Sequence, residues 1–287
     1  MSTMVLRSAA VGALLFLTTS MGGCAESEGH DRAARRRVQA SAAPDPEQAR
    51  VHLRRGIELM KEGEIEGAIE ESTRAIHLDP TNDTAWYNRG YLRDEGTGEL
   101  QAAIEDYTKA LELNPGHLWA INNRANCYTD LGEYDLAIAE FTTLIGLKPE
   151  QGDIYYNRAM VYHEMQEYGL ALDDYNTAMR LNSEDAAYWE NRGLTYHEMA
   201  KYKLAVADYT KAIELDPRPE TYFNRACAHQ ELIQHELALA DCHTVIELTP
   251  DDPDAYELRA ISFQALGQKG RAAVDLNRAK KLISAAR

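Results

Sequence analysis

The sequence predicts an all-α chain built of stacked helix pairs, and three observations carry that expectation. Pro80, Pro115, Pro149, Pro217 and Pro250 recur at spacings of thirty-three to thirty-five residues, with Ser183 as the missing beat between Pro149 and Pro217. The dipeptide Asn-Arg keeps the same period at Asn88-Arg89, Asn123-Arg124, Asn157-Arg158, Asn191-Arg192 and Asn224-Arg225. Between these marks, small and aromatic residues fall at helical spacing. A fixed period of this length signals a repeat architecture, in which each unit buries its apolar face only by stacking on its neighbours.

Composition narrows the class of function. The 287 residues are 45% hydrophobic and 26% charged, the balance of a folded chain rather than a disordered one. The net charge of -16 is spread along the chain, which argues against a nucleic-acid partner, because polyphosphate binding needs local positive potential. Four cysteines, none paired at metal-ligand spacing, make neither a disulfide framework nor a zinc site. Stability is therefore expected from packing, with no cofactor and no metal.

The N-terminus reads as an address. Arg7 precedes the apolar run Ala9 to Leu17, which is followed by Gly22 and Gly23 directly before Cys24. This is the three-part layout of a secretory signal, assigned to residues 1–23, and the run is shorter than the roughly 20 apolar residues of a membrane-spanning helix. The sequence Met21-Gly22-Gly23-Cys24 resembles the cleavage box of bacterial lipoproteins, which implies lipidation at Cys24; ordinary signal cleavage nearby is the alternative. Residues 24–48, with Arg35, Arg36, Arg37, Pro44 and Pro46 and no apolar periodicity, read as a flexible tether. The expected location is outside the cytoplasm, on a membrane-anchored bacterial lipoprotein whose domain faces the periplasm or the cell exterior.

Within the unit 186–218, Trp189, Gly193 and Tyr196 fall at i, i+4 and i+7, as do Ala205, Tyr209 and Ala212 further on. Each triplet is one face of a helix. Gly193 and Ala205 let the two helices approach closely, and Pro217 ends the second one. This order of aromatic, small, aromatic, Ala, aromatic, Ala and Pro resembles the tetratricopeptide repeat family. Seven copies are assigned, at 49–82, 83–117, 118–151, 152–185, 186–218, 219–252 and 253–286. The first carries His52 and Ser72 where aromatics are expected, as an end cap would. The second carries one extra residue near Gly96-Thr97-Gly98, which would widen its turn.

The resemblance implies a right-handed superhelical solenoid whose first helices line a concave groove that holds ligands. Residues on that face follow the spacing i, i+4, i+7, i+11, and they include an asparagine in five consecutive units: Asn88, Asn123, Asn157, Asn191 and Asn224. Relatives use asparagine here to hold a peptide backbone, and an amide both donates and accepts. The alternative is that each asparagine specifies the helix stack. Asn126 lies on the same face, and beside the asparagines run Glu95, Asp130, Glu164, Glu198 and Glu231, an acidic row that biases the groove toward Lys- or Arg-bearing segments. A solvated acidic face without a ligand is the plain alternative.

Arg89, Arg124, Arg158, Arg192 and Arg225 each precede a carboxylate by about sixteen residues, namely Asp106, Glu140, Asp174, Asp208 and Asp241. These pairs are expected to bridge the two helices of a repeat. His163 and His197 repeat in register, but nothing completes a metal-ligand set around them. Cys227 and Cys242 are open to two readings, a disulfide or two buried thiols. No nucleophile-base pair in strand-turn context and no phosphate-cradling loop appears, so no enzyme activity is expected. The expected function is a lipid-anchored adaptor for an extended peptide segment in the groove of repeats two to six. The alternatives are a scaffold self-associating through its end repeats and a regulatory subunit of a separately encoded enzyme, and the sequence leaves the oligomeric state open.

Overall fold

The computed structural model describes residues 44–285. The signal assigned to 1–23, the lipidation expected at Cys24 and the tether up to residue 43 lie outside the described residues. Every regular element among the described residues is helical. In the unit formed by residues 44–147, the helices are α1 (Pro46–Glu62), α2 (Ile65–Leu78), α3 (Asp83–Tyr91), α4 (Leu100–Leu113), α5 (Leu118–Asp130) and α6 (Tyr134–Leu147). A π-helical turn, Leu92–Thr97, continues α3. In the unit formed by residues 148–285 they are α7 (Gly152–Glu164), α8 (Tyr168–Leu181), α9 (Ala186–Glu198), α10 (Tyr202–Leu215), α11 (Pro219–Glu231), α12 (His235–Leu248), α13 (Pro253–Ala265) and α14 (Lys269–Ala285). Within each unit, the two helices of a repeat pack together and the second packs on the first helix of the next repeat.

Local chemistry sets the ends of these helices. The first helix starts at Pro46, so the last residues assigned to the tether are helical: Asp45 accepts from Gln48 N at 3.0 Å, and proline is preorganised at the first helical position. Asn82, Asp185 and Asp252 cap later first helices in the same way. Second helices stop where the following proline forces extended backbone, as at Asp79 with φ -143° and ψ 84°. Asn182 adopts φ -146° and ψ 105° before Ser183, so the missing proline is matched in geometry. The first-helix aromatics seal these corners, because Trp86 Nε1 donates to Pro80 O and Trp189 Nε1 to Ser183 O, each at 3.0 Å.

Small residues set the distance between the two helices of a repeat. Gly90 and Gly193 lie so close to Tyr107 and Tyr209 that a Cβ on either glycine would come within 2.9 Å of the ring. Ala103, Ala110, Ala205 and Ala212 are fully buried beside those rings. Enclosing a ring this size stabilises by roughly 1.5–3 kcal/mol, and the energy is lost if the helices separate.

The extra residue of the second repeat is absorbed inside the first helix rather than in the turn. The π turn at Leu92–Thr97 takes it up, and Gly98, at φ +69°, closes the turn by bonding back to Arg93 O and Asp94 O. Gly96 is required there, since a Cβ would sit 2.5 Å from Ile65 Cγ2 of the preceding repeat.

Candidate protein-interaction surface

The expected arginine pairs are the most regular feature of the structure. Arg89 grips Asp106 with two hydrogen bonds, Nε to Oδ2 at 2.9 Å and a terminal nitrogen to Oδ1 at 2.7 Å. Arg158–Asp174, Arg192–Asp208 and Arg225–Asp241 repeat this two-pronged contact, and Arg124 pairs with Glu140. Asp106, Asp174, Asp208 and Asp241 are all buried, so planar bidentate pairing is what allows their charges to remain inside. The hydrogen bond that Arg158 donates to Asp174 lifts its guanidinium above the ordinary arginine range, with burial working against it.

Two parts of this network are not evident from the Asn-Arg dipeptide. Repeat seven carries a sixth pair, Arg259–Asp275, with both bonds at 2.8 Å. Leu258 replaces the asparagine there, but the sixteen-residue offset to an aspartate persists. The guanidinium also reaches the second helix of the preceding repeat: Arg89 donates to Thr73, Arg124 to Thr108, Arg192 to Asn176 and Arg225 to Thr210. Each of these four arginines therefore ties one hairpin shut and pins it to its predecessor.

The asparagines divide into different environments. Asn191 is buried, and its amide donates to Tyr156 Oη and to Ala187 O, each at 3.0 Å; Asn224 is fully buried. Both are buried, contrary to the expectation of a ligand-facing amide, and for Asn191 the stack itself takes the amide's hydrogen bonds. Asn123 is half-buried, accepts from Asn122 at 3.3 Å, and lies beside the Tyr87 and Tyr107 hydroxyls, whose pKa values burial raises and Asn123 draws down. Asn157 is half-buried and has a partner, and Asn126 is exposed. Asn88 is half-buried and its amide makes no hydrogen bond among the described residues. Tyr156, one place before Asn157, receives the Asn191 amide of the next repeat, whereas repeat one has Leu53 at that place and offers Asn88 no hydroxyl.

The acidic residues Glu95, Asp130, Glu164, Glu198 and Glu231 are all exposed. Burial of its surroundings raises the Asp130 carboxyl above the usual range. Large apolar side chains on the first-helix face in the unit 44–147 include Trp119 at 68% exposed, Ile57 at 39% and Tyr91 at 36%. His163 meets Thr195 across neighbouring repeats at 2.9 Å, and burial lowers both His163 and His197 below the ordinary histidine value. Cys227 and Cys242 are buried free thiols in one apolar cluster, and burial pushes the Cys242 thiol up.

Serial helical hairpins whose first helices expose polar and apolar side chains within each unit define a repeat protein of the protein-interaction class. Three family models agree with this: two described as "Tetratricopeptide repeat" match residues 152–185 with 186–219 and residues 96–161, and one described as "TPR repeat" matches residues 56–93. The chain belongs to the tetratricopeptide repeat family. Its class is that of adaptors and scaffolds, and such proteins are in general interaction modules rather than enzymes.

Solved structures support the fold. A tetratricopeptide repeat protein from Parabacteroides merdae is similar over 82% of this chain and 93% of its own, with 24% identity and a TM-score of 0.65. The C-terminal part of a repeat-containing protein from Cytophaga hutchinsonii is similar over 80% and 95%, with 18% identity and a TM-score of 0.66. YrrB, described as a TPR protein with an unusual peptide-binding site, is similar over 64% and 95%, with 24% identity and a TM-score of 0.51. No curated protein matches the chain in sequence.

Proposed function

We propose that this protein is a membrane-tethered adaptor that binds an extended segment of another protein along the first-helix faces of its repeats. The observation that carries the reading is the exposed carboxylate recurring at one place on successive first helices, as at Glu164, Glu198 and Glu231 in residues 148–285. A row spaced by the repeat suits a ligand that runs along the stack rather than a compact one. Its charge favours Lys- or Arg-bearing segments and speeds their encounter at low salt. The similarity to YrrB supports peptide recognition by this fold. Export and lipid attachment at Cys24 complete the proposal, resting on the Met21-Gly22-Gly23-Cys24 sequence, and would place the domain at a membrane facing the periplasm or cell exterior.

Capture of partners from native membranes by the wild-type chain and by the triple variant E164K/E198K/E231K tests the binding reading. Loss of specific partners in the variant is the expected result, and recovery of the same proteins in equal amounts would refute it. Mass spectrometry of the mature N-terminus tests the anchor: a lipid-modified Cys24 is expected, and an unmodified cysteine would remove it.

A second reading has its own observation. The last helix, α14, exposes Val274 at 68% and Ile283 at 39%, an apolar surface that suits a scaffold self-associating through its end repeat. Sedimentation of the chain with Val274 and Ile283 changed to Ser separates the two, since only self-association depends on that surface.

A further inference from the structure

Repeat one lacks the ring that fills the centre of repeats two to five. Tyr107, Tyr175 and Tyr209 lie buried at that place in their second helices, and Phe141 does so in repeat three. Repeat one has Ser72 there, itself buried. The consequence is visible at the facing glycine: a Cβ on Gly90 would strike the Tyr107 ring at 2.9 Å, whereas one on Gly56 would come no nearer than ordinary contact, with Ala68 O at 3.4 Å, Ser72 Oγ at 3.5 Å and Glu71 Cβ at 3.6 Å. The unfilled space is a cavity of about 220 Å³ between Gly56, Ile57 and Met60 of α1, Ser72 of α2, and Tyr91 and Leu92. An engineered apolar cavity of roughly 150 Å³ already takes up benzene. Ile57 and Tyr91, at 39% and 36% exposed, stand at its mouth.

The groups around that mouth identify what would enter. Asn88 also lines the cavity, and its unbonded amide is free to pair with a peptide main chain. Arg54 and Lys61 stand three and four residues either side of Ile57, on the same face of α1. Both are exposed and neither forms an ion pair among the described residues. The mouth is therefore apolar at its centre, amide-bearing on α3 and positive along α1.

We infer that this cavity is an anchor site for an aromatic side chain of a partner segment, flanked by carboxylates that meet Arg54 and Lys61 while Asn88 holds the adjoining main chain. The partner's ring takes the place that Tyr107 occupies in repeat two. Residues 25–43 of this chain contain no aromatic residue and carry Arg35, Arg36 and Arg37, so they do not match the site. This inference rests on the proposed peptide-binding function. It assigns one end of the bound segment, acidic and aromatic, in contrast to the cationic segment favoured by the acidic row.

The probe is the capped tripeptide N-acetyl-Glu-Phe-Glu-amide, titrated into the full chain carrying 13C-labelled methionine methyl groups. Saturable movement of the Met60 methyl signal is expected. Replacing the probe's Phe with Ala, or both its Glu with Lys, is expected to weaken binding by about tenfold or more. S72Y restores the repeat's own ring and is expected to raise the melting temperature and abolish the Met60 response. If S72Y fails to fold, R54E/K61E alters only exposed side chains and is expected to weaken the probe by about tenfold. A Met60 signal that stays still, or moves equally in S72Y, overturns the inference. Movement at Met160 without Met60 overturns it too, while leaving the wider peptide-binding reading to the capture experiment with E164K/E198K/E231K.

Discussion

Arg225 and Asp241 show how one side-chain pair connects sequence to architecture. The pair closes the hairpin of repeat six, and the same guanidinium reaches Thr210 of repeat five at 3.1 Å. Changing Arg225 to Ala strips the buried Asp241 of its two-pronged partner and leaves only His229 Nε2 at 4.0 Å, and a cost of about 3–5 kcal/mol is expected in denaturant unfolding. Thr210→Ala leaves the Arg225–Asp241 pair intact, removing the contact from Arg225 and the hydroxyl's own bond to Val206 O, and should cost about 1 kcal/mol. Histidines give the pH dependence. Burial holds His163 and His197 below their unfolded value of about 6.5, so the unfolded chain binds more protons as pH falls. Their contribution is intact above about pH 6.5 and is lost as pH drops through the depressed folded values. Unfolding measured at pH 7.5 and 5.5 should show a loss of stability at the lower pH that H163Q/H197Q reduces. The arginine pairs were legible because the sixteen-residue offset repeats in the sequence. The asparagines were not, because an amide's partner can lie one repeat earlier, where Tyr156 offers Asn191 a hydroxyl and Leu53 offers Asn88 none.

At the scale of helices and turns, the repeat tolerates irregularity where space or backbone conformation allows. The extra residue near Gly96-Thr97-Gly98 could be counted from the sequence, but its accommodation as a π turn within the first helix could not. That outcome depends on Ile65, which presses on Gly96 from a helix thirty residues away. Gly96→Ala should therefore destabilise by about 1–3 kcal/mol, and Ile65→Ala in the same chain should recover part of the loss, since residues in contact couple. A different strain lies at Ile233, between α11 and α12. Its φ is +59°, where Gly132 and Gly267 stand in repeats three and seven, and its side chain is 77% exposed. Left-handed backbone costs a β-branched residue about 1–2 kcal/mol, and little burial offsets it. Ile233→Gly should raise the melting temperature measured by calorimetry; a fall would mean that the exposed side chain has a packing role.

Across the whole molecule, periodicity made the fold class readable, because two independent markers, proline and Asn-Arg, keep the same beat and repeats two to five bury a ring against small residues. The start of the first helix at Pro46 was obscured by prolines and arginines that resemble linker composition, and Asp45 with Pro46 proved to be a helix start instead. The candidate interaction surface was legible in charge but not in shape: the acidic row is evident from spacing, whereas the cavity beside Ser72 requires knowing what faces Gly56. With a net charge of -16, attraction to cationic segments should weaken as salt rises from 0.05 to about 0.5 M, where the screening length shortens to a few ångströms. The central claim is that the first-helix face, rather than the second-helix face, meets the partner. The most direct measurement places a photo-crosslinking residue at Glu198 in one variant and at the exposed Glu214 of α10 in another, with irradiation in native membranes. A discrete crosslinked protein from the Glu198 variant alone is the result expected; the same product from both, or from the Glu214 variant only, would contradict the account.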